Sequence, residues 1–303
     1  VLRQRAKKYS DKIQLNQTNE KEESYMLEVL RKLGLPSVSA STQGPAIDNI
    51  ISMVHWLMLV LFVGWGIFFI YTLLRFRESK NPKADYGGIK NHYSSYAEAG
   101  VALIEIALLF GFAFPIWASR INDVPQGPDT VQIRVIGQQF AWNIHYPGDD
   151  GVFGKTDVNL VNEQDNPIGI DRSDDFAKDD IWTINQLHIP VNTPVNILLS
   201  TKDVIHNFKL PELRVSQDAI SGMQIPVWFE ATMTSEEFLE QSVGTGREGK
   251  GFQIACAQLC GLGHSKMVGY MTVHDDEGYA NWLEEQKEYL LEEDEDDWGD
   301  DEW

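Results

Sequence analysis

A stretch of about 26 residues, from Asn49 to Leu74, contains no formally charged side chain and is rich in leucine, valine, isoleucine, phenylalanine and methionine. A helix needs roughly 20 such residues to cross the hydrocarbon core of a bilayer. A helix buried in a soluble protein is seldom apolar on every side over this length. The sequence therefore predicts a transmembrane helix, in which we expect His55 to be a packed or interfacial residue and not a ligand.

A second apolar run extends from Ala99 to Ser119 and is interrupted by Glu105. The connection between the two runs is mainly basic, and short basic connections stay on the cytoplasmic side of a membrane. Its basic residues are Arg75, Arg77, Lys80, Lys83 and Lys90. We therefore predict a two-helix transmembrane hairpin over residues 48–120 in a bacterial inner membrane, with residues 121–303 on the periplasmic side.

Two carboxylates belong to the second span. Carboxylates are costly in lipid, and they usually face a protein partner or water. For Glu105, a role in proton or ion movement and a hydrogen bond at a helix–helix contact both stay open. Glu98 is less demanding because it lies near the start of the span, where it can sit at the interface.

After residue 123 the pattern of apolar residues changes to alternation. Val131, Ile133 and Val135 alternate with polar residues before a Pro-Gly turn, and further short strand patterns recur up to residue 274. Short strands at this spacing predict an all-β sandwich. We assign residues 121–276 to this domain.

The remaining segments carry less information. Residues 1–47 are expected to form a polar N-terminal arm, with one possible helix over 20–33. Residues 149–180 form a long acidic surface excursion, for which acidic turns are favoured over a calcium loop because no full liganding pattern is present. Residues 277–303 predict a helix followed by an acidic tail.

The stretch CAQLCGLGHSKM holds the only two cysteines of the chain, Cys256 and Cys260, followed by His264 and Met267. His206 lies upstream in DVIHNF, where we expect a loop after the strand predicted over 196–201. Thiol, imidazole and thioether groups are soft ligands, which favour copper over magnesium, calcium or manganese. Rigid strands would keep the ligand geometry nearly constant during electron transfer.

Four kinds of site are compatible with these residues. A structural zinc site of the Cys2His2 type leaves Met267 without a role, and a disulfide explains neither histidine. A mononuclear blue-copper site needs one cysteine and not two. Two bridging thiolates with one histidine per metal indicate a dinuclear copper centre, which we favour while the other three stay open.

The formal net charge is -20, and the imbalance lies in residues 121–303, which carry about 11 basic and 35 acidic side chains. Such a field repels nucleic acid and attracts basic partners. No Cys-x-x-Cys-His sequence occurs, so no covalently attached haem is expected. A haem-bearing electron donor would therefore be a separate protein.

The motifs CAQLCGLGHSKM and DVIHNF, with QDAIS between them and two membrane helices ahead, resemble subunit II of cytochrome c oxidase over roughly residues 45–290. The resemblance implies a cupredoxin-like domain with the dinuclear CuA centre. This centre would take electrons from cytochrome c, or from a haem subunit of a neighbouring complex, and pass them to haem in subunit I, where oxygen is reduced to water.

The resemblance also implies a ligand set. Cys256 and Cys260 would bridge the coppers. His206 and His264 would bind one copper each. The Met267 thioether and the main-chain carbonyl of Gln258 would be weak ligands.

Three positions depart from the family pattern. Gln258 replaces a glutamate that helps to bind magnesium at the interface with subunit I, and a neutral amide is a poorer magnesium ligand. Phe140 replaces the first tryptophan of an aromatic patch, so Phe140 and Trp142 are the electron-entry residues that the resemblance implies. The sequence Ser-Gly-Met at 221–223 replaces Pro-Gly-Arg, which removes a positive side chain near the subunit interface.

Counting back from Pro115, Glu98 falls where the family has the glutamate at the mouth of a proton channel into subunit I. The implied partners are subunit I, other oxidase subunits and the membrane. A membrane-anchored copper carrier is disfavoured because bridging cysteines in a rigid loop would release copper slowly. A quinol oxidase homologue would lack the ligands, and nitrous oxide reductase would carry a propeller domain. A nitric oxide reductase with a CuA subunit stays open, because its catalytic subunit is another chain.

Overall fold

The computed structural model describes residues 25–32, 38–83, 86–88, 91–122 and 124–297. It divides into two compact units. One comprises residues 1–35 and 46–121, and the other comprises residues 36–45 and 122–303. The first is helical and the second is a β-sandwich, as the sequence predicts.

Within its described residues, the helical unit contains one short and two long helical segments. Its helices are α1 (Tyr25–Lys32), α2 (Gly44–Arg75), α3 (Tyr93–Leu108) and α4 (Phe114–Asn122). The helix predicted over 20–33 is described only from Tyr25 to Lys32. Both helical segments extend beyond the apolar runs that predicted them, because polar residues at the ends of an apolar segment can continue the same helix.

The two long segments have the length and composition of membrane spans. Gly44–Arg75 has 32 residues and Tyr93–Asn122 has 30, or about 45 Å at a rise of about 1.5 Å per residue. No residue in the most apolar part of either segment is buried, and the Phe62 side chain is 78% exposed. Such all-round apolar surfaces are typical of helices whose solvent is lipid.

Between α3 and α4 the chain forms a π-helical turn, Leu109–Ala113, so the second span is continuous but irregular. The Phe114 N–H donates to the Leu109 carbonyl, five residues back. Pro115 follows directly. Because proline has no N–H and its ring crowds the carbonyl four residues earlier, a wider turn ahead of it relieves the local conflict.

Two five-stranded sheets form the sandwich, in the orders β3-β2-β1-β5-β8 and β4-β10-β9-β6-β7. β1–β5 and β4–β10 are parallel pairs, and the other pairs are antiparallel. The strands of the first sheet are β1 (Val131–Gln138), β2 (Ala141–Tyr146), β3 (Ile181–Ile184), β5 (Pro194–Thr201) and β8 (Ile225–Glu230). Those of the second are β4 (Gln186–Pro190), β6 (His206–Leu210), β7 (Val215–Ala219), β9 (Phe252–Cys256) and β10 (Val268–His274).

Alternation places the core between the sheets. In β1, Ile133 and Val135 are fully buried, as their spacing predicts. In β2, by contrast, five consecutive residues are buried, because the segment after β2 covers its other face.

The acidic excursion over residues 149–180 is this cover, and it is more ordered than a loose surface segment. Ile168, Ile170 and Ala177 form a small apolar cluster against Ile136 and Trp182. Beside it, a buried His145–Asp180 pair with an Nε2–Oδ2 distance of 2.6 Å ties the excursion to β2. The excursion therefore folds as an outer layer of the first sheet.

The end of the expected N-terminal arm is also part of the sandwich. Ala40 is fully buried, its N–H donates to the Glu212 carbonyl at 2.9 Å, and its carbonyl accepts from the Thr232 N–H at 2.9 Å. Ser41 forms an isolated β-bridge with Ala231. The Ser41 and Gln43 side chains also donate to the Leu213 carbonyl, so this polar segment is held by hydrogen bonds that no apolar pattern reveals.

Two further helices complete the sandwich unit: α5 (Ser235–Gln241) and α6 (Asp276–Asp297). α6 confirms the predicted C-terminal helix, and residues 298–303 of the acidic tail lie outside the described part of the chain. Trp282 of α6 is 7% exposed and stacks on His188 of β4, with ring centroids 4.5 Å apart. This contact packs α6 against the second sheet.

A candidate metal centre at one end of the sandwich

The two cysteines meet at the end of β9. Cys256 is the last residue of this strand, and Cys260 is buried in the loop that follows. Their Sγ atoms are 3.8 Å apart, much farther than the roughly 2.05 Å of a disulfide. With thiolate–metal bonds of about 2.3 Å, this separation gives a sulfur–metal–sulfur angle of roughly 110°. The spacing therefore suits two thiolates that share a metal.

Each sulfur faces a different histidine. The Cys256 Sγ atom lies 3.9 Å from His206 Nδ1, and the Cys260 Sγ atom lies 3.6 Å from His264 Nδ1. His206, Cys256 and Cys260 are also the one group of three or more convergent histidine, cysteine or acidic ligands found among the described residues. The fold thus brings the remote His206 next to the cysteine loop, an arrangement that the predicted ligand set requires.

Two weaker donors complete the set. The Gln258 carbonyl lies 3.2 Å from Cys256 Sγ, and the Met267 Sδ atom lies 3.8 Å from Cys260 Sγ. Met267 is 1% exposed, so its thioether points into the site and not into solvent. Two thiols, two imidazoles, a thioether and a carbonyl form a soft ligand set that fits copper.

Burial, together with the neighbouring Cys256, raises the pKa of the Cys260 thiol to about 11. Without a metal this thiol therefore stays protonated at neutral pH. Metal ions bind thiolates and displace their protons. The Cys260 thiol is consequently not a free reactive thiolate in the absence of a metal.

His206 is held from three sides. It is the first residue of β6, and the predicted loop position is wrong because β6 pairs with β7 from this residue onward. Its Nε2 atom lies 2.8 Å from Asp203 Oδ1. A Cβ at Gly137 would lie 3.1 Å from Cδ2 of the His206 ring, so the chain passes close to it there. The Trp142 ring packs edge-on against His206, with ring centroids 5.9 Å apart.

The turn between β1 and β2 lies on the loop from Cys256 to Met267, which we call the metal loop. The Gln139 N–H donates to Asp203 Oδ2 at 2.7 Å, and the Gln139 side chain donates to the Cys260 carbonyl. The Phe140 ring packs against Gly261 and Gly263 and is 36% exposed. Phe140 is therefore in contact with both the loop and solvent.

Trp142 is fully buried beneath His206 and Phe208. A docked protein cannot touch it directly, so direct contact with a donor falls to Phe140, and an electron-entry role for Trp142 stays a prediction. It alternates into the core because it lies on the inward face of β2, whereas Phe140 lies in the turn.

Sequence reasoning did not assign roles to Asp203 and Gln139. The available signal was an aspartate three residues before a candidate histidine ligand, within DVIHNF. Metal-binding histidines commonly donate their second ring N–H to a carboxylate. Gln139 had no comparable signal, because its contact with Cys260 joins residues 121 positions apart.

Other predicted positions lie outside this site. His55 is packed as expected, with Nδ1 2.8 Å from the Ile51 carbonyl. Glu98 and Glu105 lie on α3, in the helical unit. In the acidic excursion, Asp179 accepts the N–H groups of Asp149 and Asp150, which favours the acidic-turn interpretation over a calcium loop.

Comparison with known proteins agrees with this geometry. The family described as cytochrome c oxidase subunit II, periplasmic domain, matches residues 131–273. The alternative cytochrome c oxidase subunit 2 of Bradyrhizobium diazoefficiens is 30% identical over 244 residues, which are 80% of this chain and 81% of the relative. The chain belongs to the cytochrome c oxidase subunit II family.

Two further similarities concern relatives with the same description. Cytochrome c oxidase subunit 2 of Cereibacter sphaeroides is 26% identical over 275 residues, covering 84% of this chain and 83% of the relative. The crystal structure of the periplasmic domain of subunit II of cytochrome oxidase (CoxB) of Bradyrhizobium japonicum is 28% identical. The match covers 55% of this chain and 99% of the CoxB domain, with a TM-score of 0.37.

Membership of the subunit II family fixes several properties. The protein is an electron-entry subunit of a haem-copper oxidase, an oxidoreductase. Its sandwich is the copper-binding, cupredoxin-like periplasmic domain of that family, and its two long apolar helices make it membrane-anchored. It therefore associates with other oxidase subunits.

Proposed function

We propose that this subunit II holds a dinuclear CuA centre through which its oxidase receives electrons for the reduction of oxygen to water. The observation that carries the proposal is the pair of thiols 3.8 Å apart, each facing its own imidazole nitrogen. The proposed ligands are Cys256, Cys260, His206, His264, Met267 and the carbonyl of Gln258. Copper ions held in this way would accept and release one electron at a time.

The alternatives explain fewer of the contacts. A four-ligand zinc site would leave the buried Met267 thioether without a function. A mononuclear blue-copper site would leave one of two converging thiols unused. A copper carrier needs ligands that open easily, whereas these begin or follow strands of a packed sandwich. A two-copper centre held by these residues would give each of the converging donor groups a role.

Donor docking is proposed at a surface that we call the metal-end patch. Its members are exposed apolar side chains on the loops around the centre: Phe140, Val204, Ile205, Met223, Leu259 and Leu262. Hydrogen bonds from Gln139 to Asp203 and Cys260, and from Ser221 to Asp203, link these loops. Phe140 is the proposed electron-entry residue, because its ring contacts the loop between Cys260 and His264.

The proposed donor is a basic cytochrome c or a haem-bearing subunit of a neighbouring complex. The net charge of -20 attracts such a donor from a distance, whereas the metal-end patch offers apolar contact. Long-range attraction mainly sets the association rate and weakens with salt. The association rate should therefore fall as ionic strength rises, and a flat dependence would indicate a permanently associated donor.

One further role rests on the family alone. Glu98 is proposed to lie at the mouth of a proton channel into subunit I, in a bacterial inner membrane. Magnesium at the subunit I interface is not proposed, because the amide of Gln258 is a poor magnesium ligand. Glu98→Gln should slow proton uptake by the assembled oxidase and leave its copper content unchanged. Unchanged proton uptake in Glu98→Gln would contradict this role.

The test of the proposed function compares variants of the assembled oxidase that differ only in this loop. With reduced cytochrome c as donor, Cys260→Ser should abolish oxygen consumption, because it removes one of the two shared sulfurs. Ser265→Ala is the matched control, since Ser265 is exposed in the same loop, and it should retain activity. Full donor-driven activity in Cys260→Ser would refute the proposal.

A further inference from the structure

The Asp203 carboxylate, in the turn between β5 and β6, touches two separate parts of the metal end. Its Oδ1 atom lies 2.8 Å from His206 Nε2, and its Oδ2 atom accepts the Gln139 N–H at 2.7 Å. The Val204 N–H donates to Oδ1 at 2.7 Å. These hydrogen bonds fix the orientation of both carboxylate oxygens.

The contact with His206 determines which ring nitrogen can bind a metal. His206 is fully buried, and an ionised carboxylate beside Nε2 can only accept a hydrogen bond from it. In the neutral ring the lone pair then lies on Nδ1, the atom that faces Cys256 Sγ at 3.9 Å. The carboxylate therefore selects the tautomer that presents Nδ1 as the ligand.

The contact with Gln139 holds the β1–β2 turn over the metal loop. The Gln139 backbone is fixed by Asp203, and its side chain reaches the Cys260 carbonyl. Phe140, the next residue, lies on Gly261 and Gly263. One carboxylate thus connects a histidine from β6 with the turn that packs on the cysteine loop.

We propose that Asp203 is a positioning residue that sets the His206 tautomer and, through Gln139, holds the β1–β2 turn on the metal loop. The tautomer does not depend on the identity of the metal. The expected effect on copper rests on the proposed function. Loss of the carboxylate removes a negative charge next to a ligand, so it should weaken copper binding and raise the reduction potential.

The first measurement uses the full chain in detergent without metal, with ¹⁵N-labelled histidine. Nitrogen chemical shifts in the wild type should show His206 protonated on Nε2. Asp203→Asn should reduce this preference, because His206 and Gln139 bond to different carboxylate oxygens and asparagine keeps only one of the two. An Nδ1-protonated ring in the wild type, or an unchanged tautomer in the variant, would overturn the proposal.

Asp218→Asn is the matched control. It makes the same change of charge on β7, where Asp218 pairs with Asn207 next to His206 in the sheet. It should leave the His206 tautomer unchanged, because Asp218 is exposed and bonds to Asn207. An equal change in this control would show a general charge effect and overturn the proposal. The wild-type spectrum decides the tautomer even where a variant fails to fold.

The second measurement uses the copper-loaded full chain. Asp203→Asn should weaken copper binding by roughly 10- to 100-fold and raise the reduction potential, whereas Asp218→Asn should change neither. A merely structural role would leave the potential unchanged and overturn the assignment. If the wild type binds no copper, the proposed function fails, whereas the tautomer experiment still decides the role of Asp203.

Discussion

Gly263→Ala tests the contact between Phe140 and the metal loop through sterics alone. A Cβ at this position would lie 2.4 Å from Phe140 Cδ2, about 1 Å closer than ordinary van der Waals contact. The backbone at Gly263, with φ of -89° and ψ of 6°, is open to alanine. The phenylalanine ring must therefore withdraw by about 1 Å, and such overpacking lowers the free energy of unfolding by about 1–3 kcal/mol.

A second background isolates this contact. With alanine at position 140 the obstacle is gone, so Gly263→Ala should be neutral or stabilise by up to about 1 kcal/mol, as glycine-to-alanine changes do at compatible sites. The coupling between the two positions should thus be about 1–4 kcal/mol. Urea unfolding of the metal-free full chain in detergent, followed by tryptophan fluorescence, measures both backgrounds.

The control for this cycle is Gly246→Ala, where a Cβ would meet no atom within 4 Å. It should change stability equally in both backgrounds. The reasoning is refuted if Gly263→Ala has the same effect with phenylalanine as with alanine at position 140. It is equally refuted if the substitution has no effect in the wild-type background.

Two further predictions concern the packing of α6. Trp282→Ala should lower the free energy of unfolding by about 3–5 kcal/mol. The control Tyr289→Ala, at an exposed position on the same helix, should lower it by less than about 1 kcal/mol. Equal losses in the two variants would contradict the stacking of Trp282 on His188. Burial and the nearby His274 lower the pKa of His188 to about 4, so the unfolded chain binds more protons between about pH 6.5 and 4. Stability should therefore fall as pH decreases through this window, by about 1–2 kcal/mol once screening of the half-buried ring is included. His188→Gln should flatten the decline in urea titrations at each pH, and an unchanged slope would argue against it.

The strands with alternating apolar residues were predictable, because period-two alternation directly encodes which face is buried. β7 was not, because only Val215 and Ala219 of its five residues are buried. α5 has seven residues and one buried side chain, Phe238, too few for a helical period. Its Thr234–Glu237 capping box was the available sequence signal.

The candidate ligands between Cys256 and Met267 were predictable because their chemistry is rare and their spacing is short, whereas the remote His206 was predictable from its residue type and its motif DVIHNF. The residues that orient them were not, since Gln139 and Asp203 act through contacts between loops distant in sequence. The same limit applies to Trp142: the resemblance gave its expected role, whereas only the structure shows that its place in β2 buries it. Segment 38–43 was missed because its backbone, rather than an apolar side-chain pattern, joins the sandwich.

The central claim is that two thiols and two imidazoles hold a pair of copper ions. The most direct test is to load the full chain in detergent with copper, count the bound metal, and record electron paramagnetic resonance and visible spectra. We predict two coppers per chain and a mixed-valence signal shared over both, which Cys256→Ser abolishes. A spectrum of one isolated Cu(II), or tight binding of zinc with no copper signal, would contradict the account.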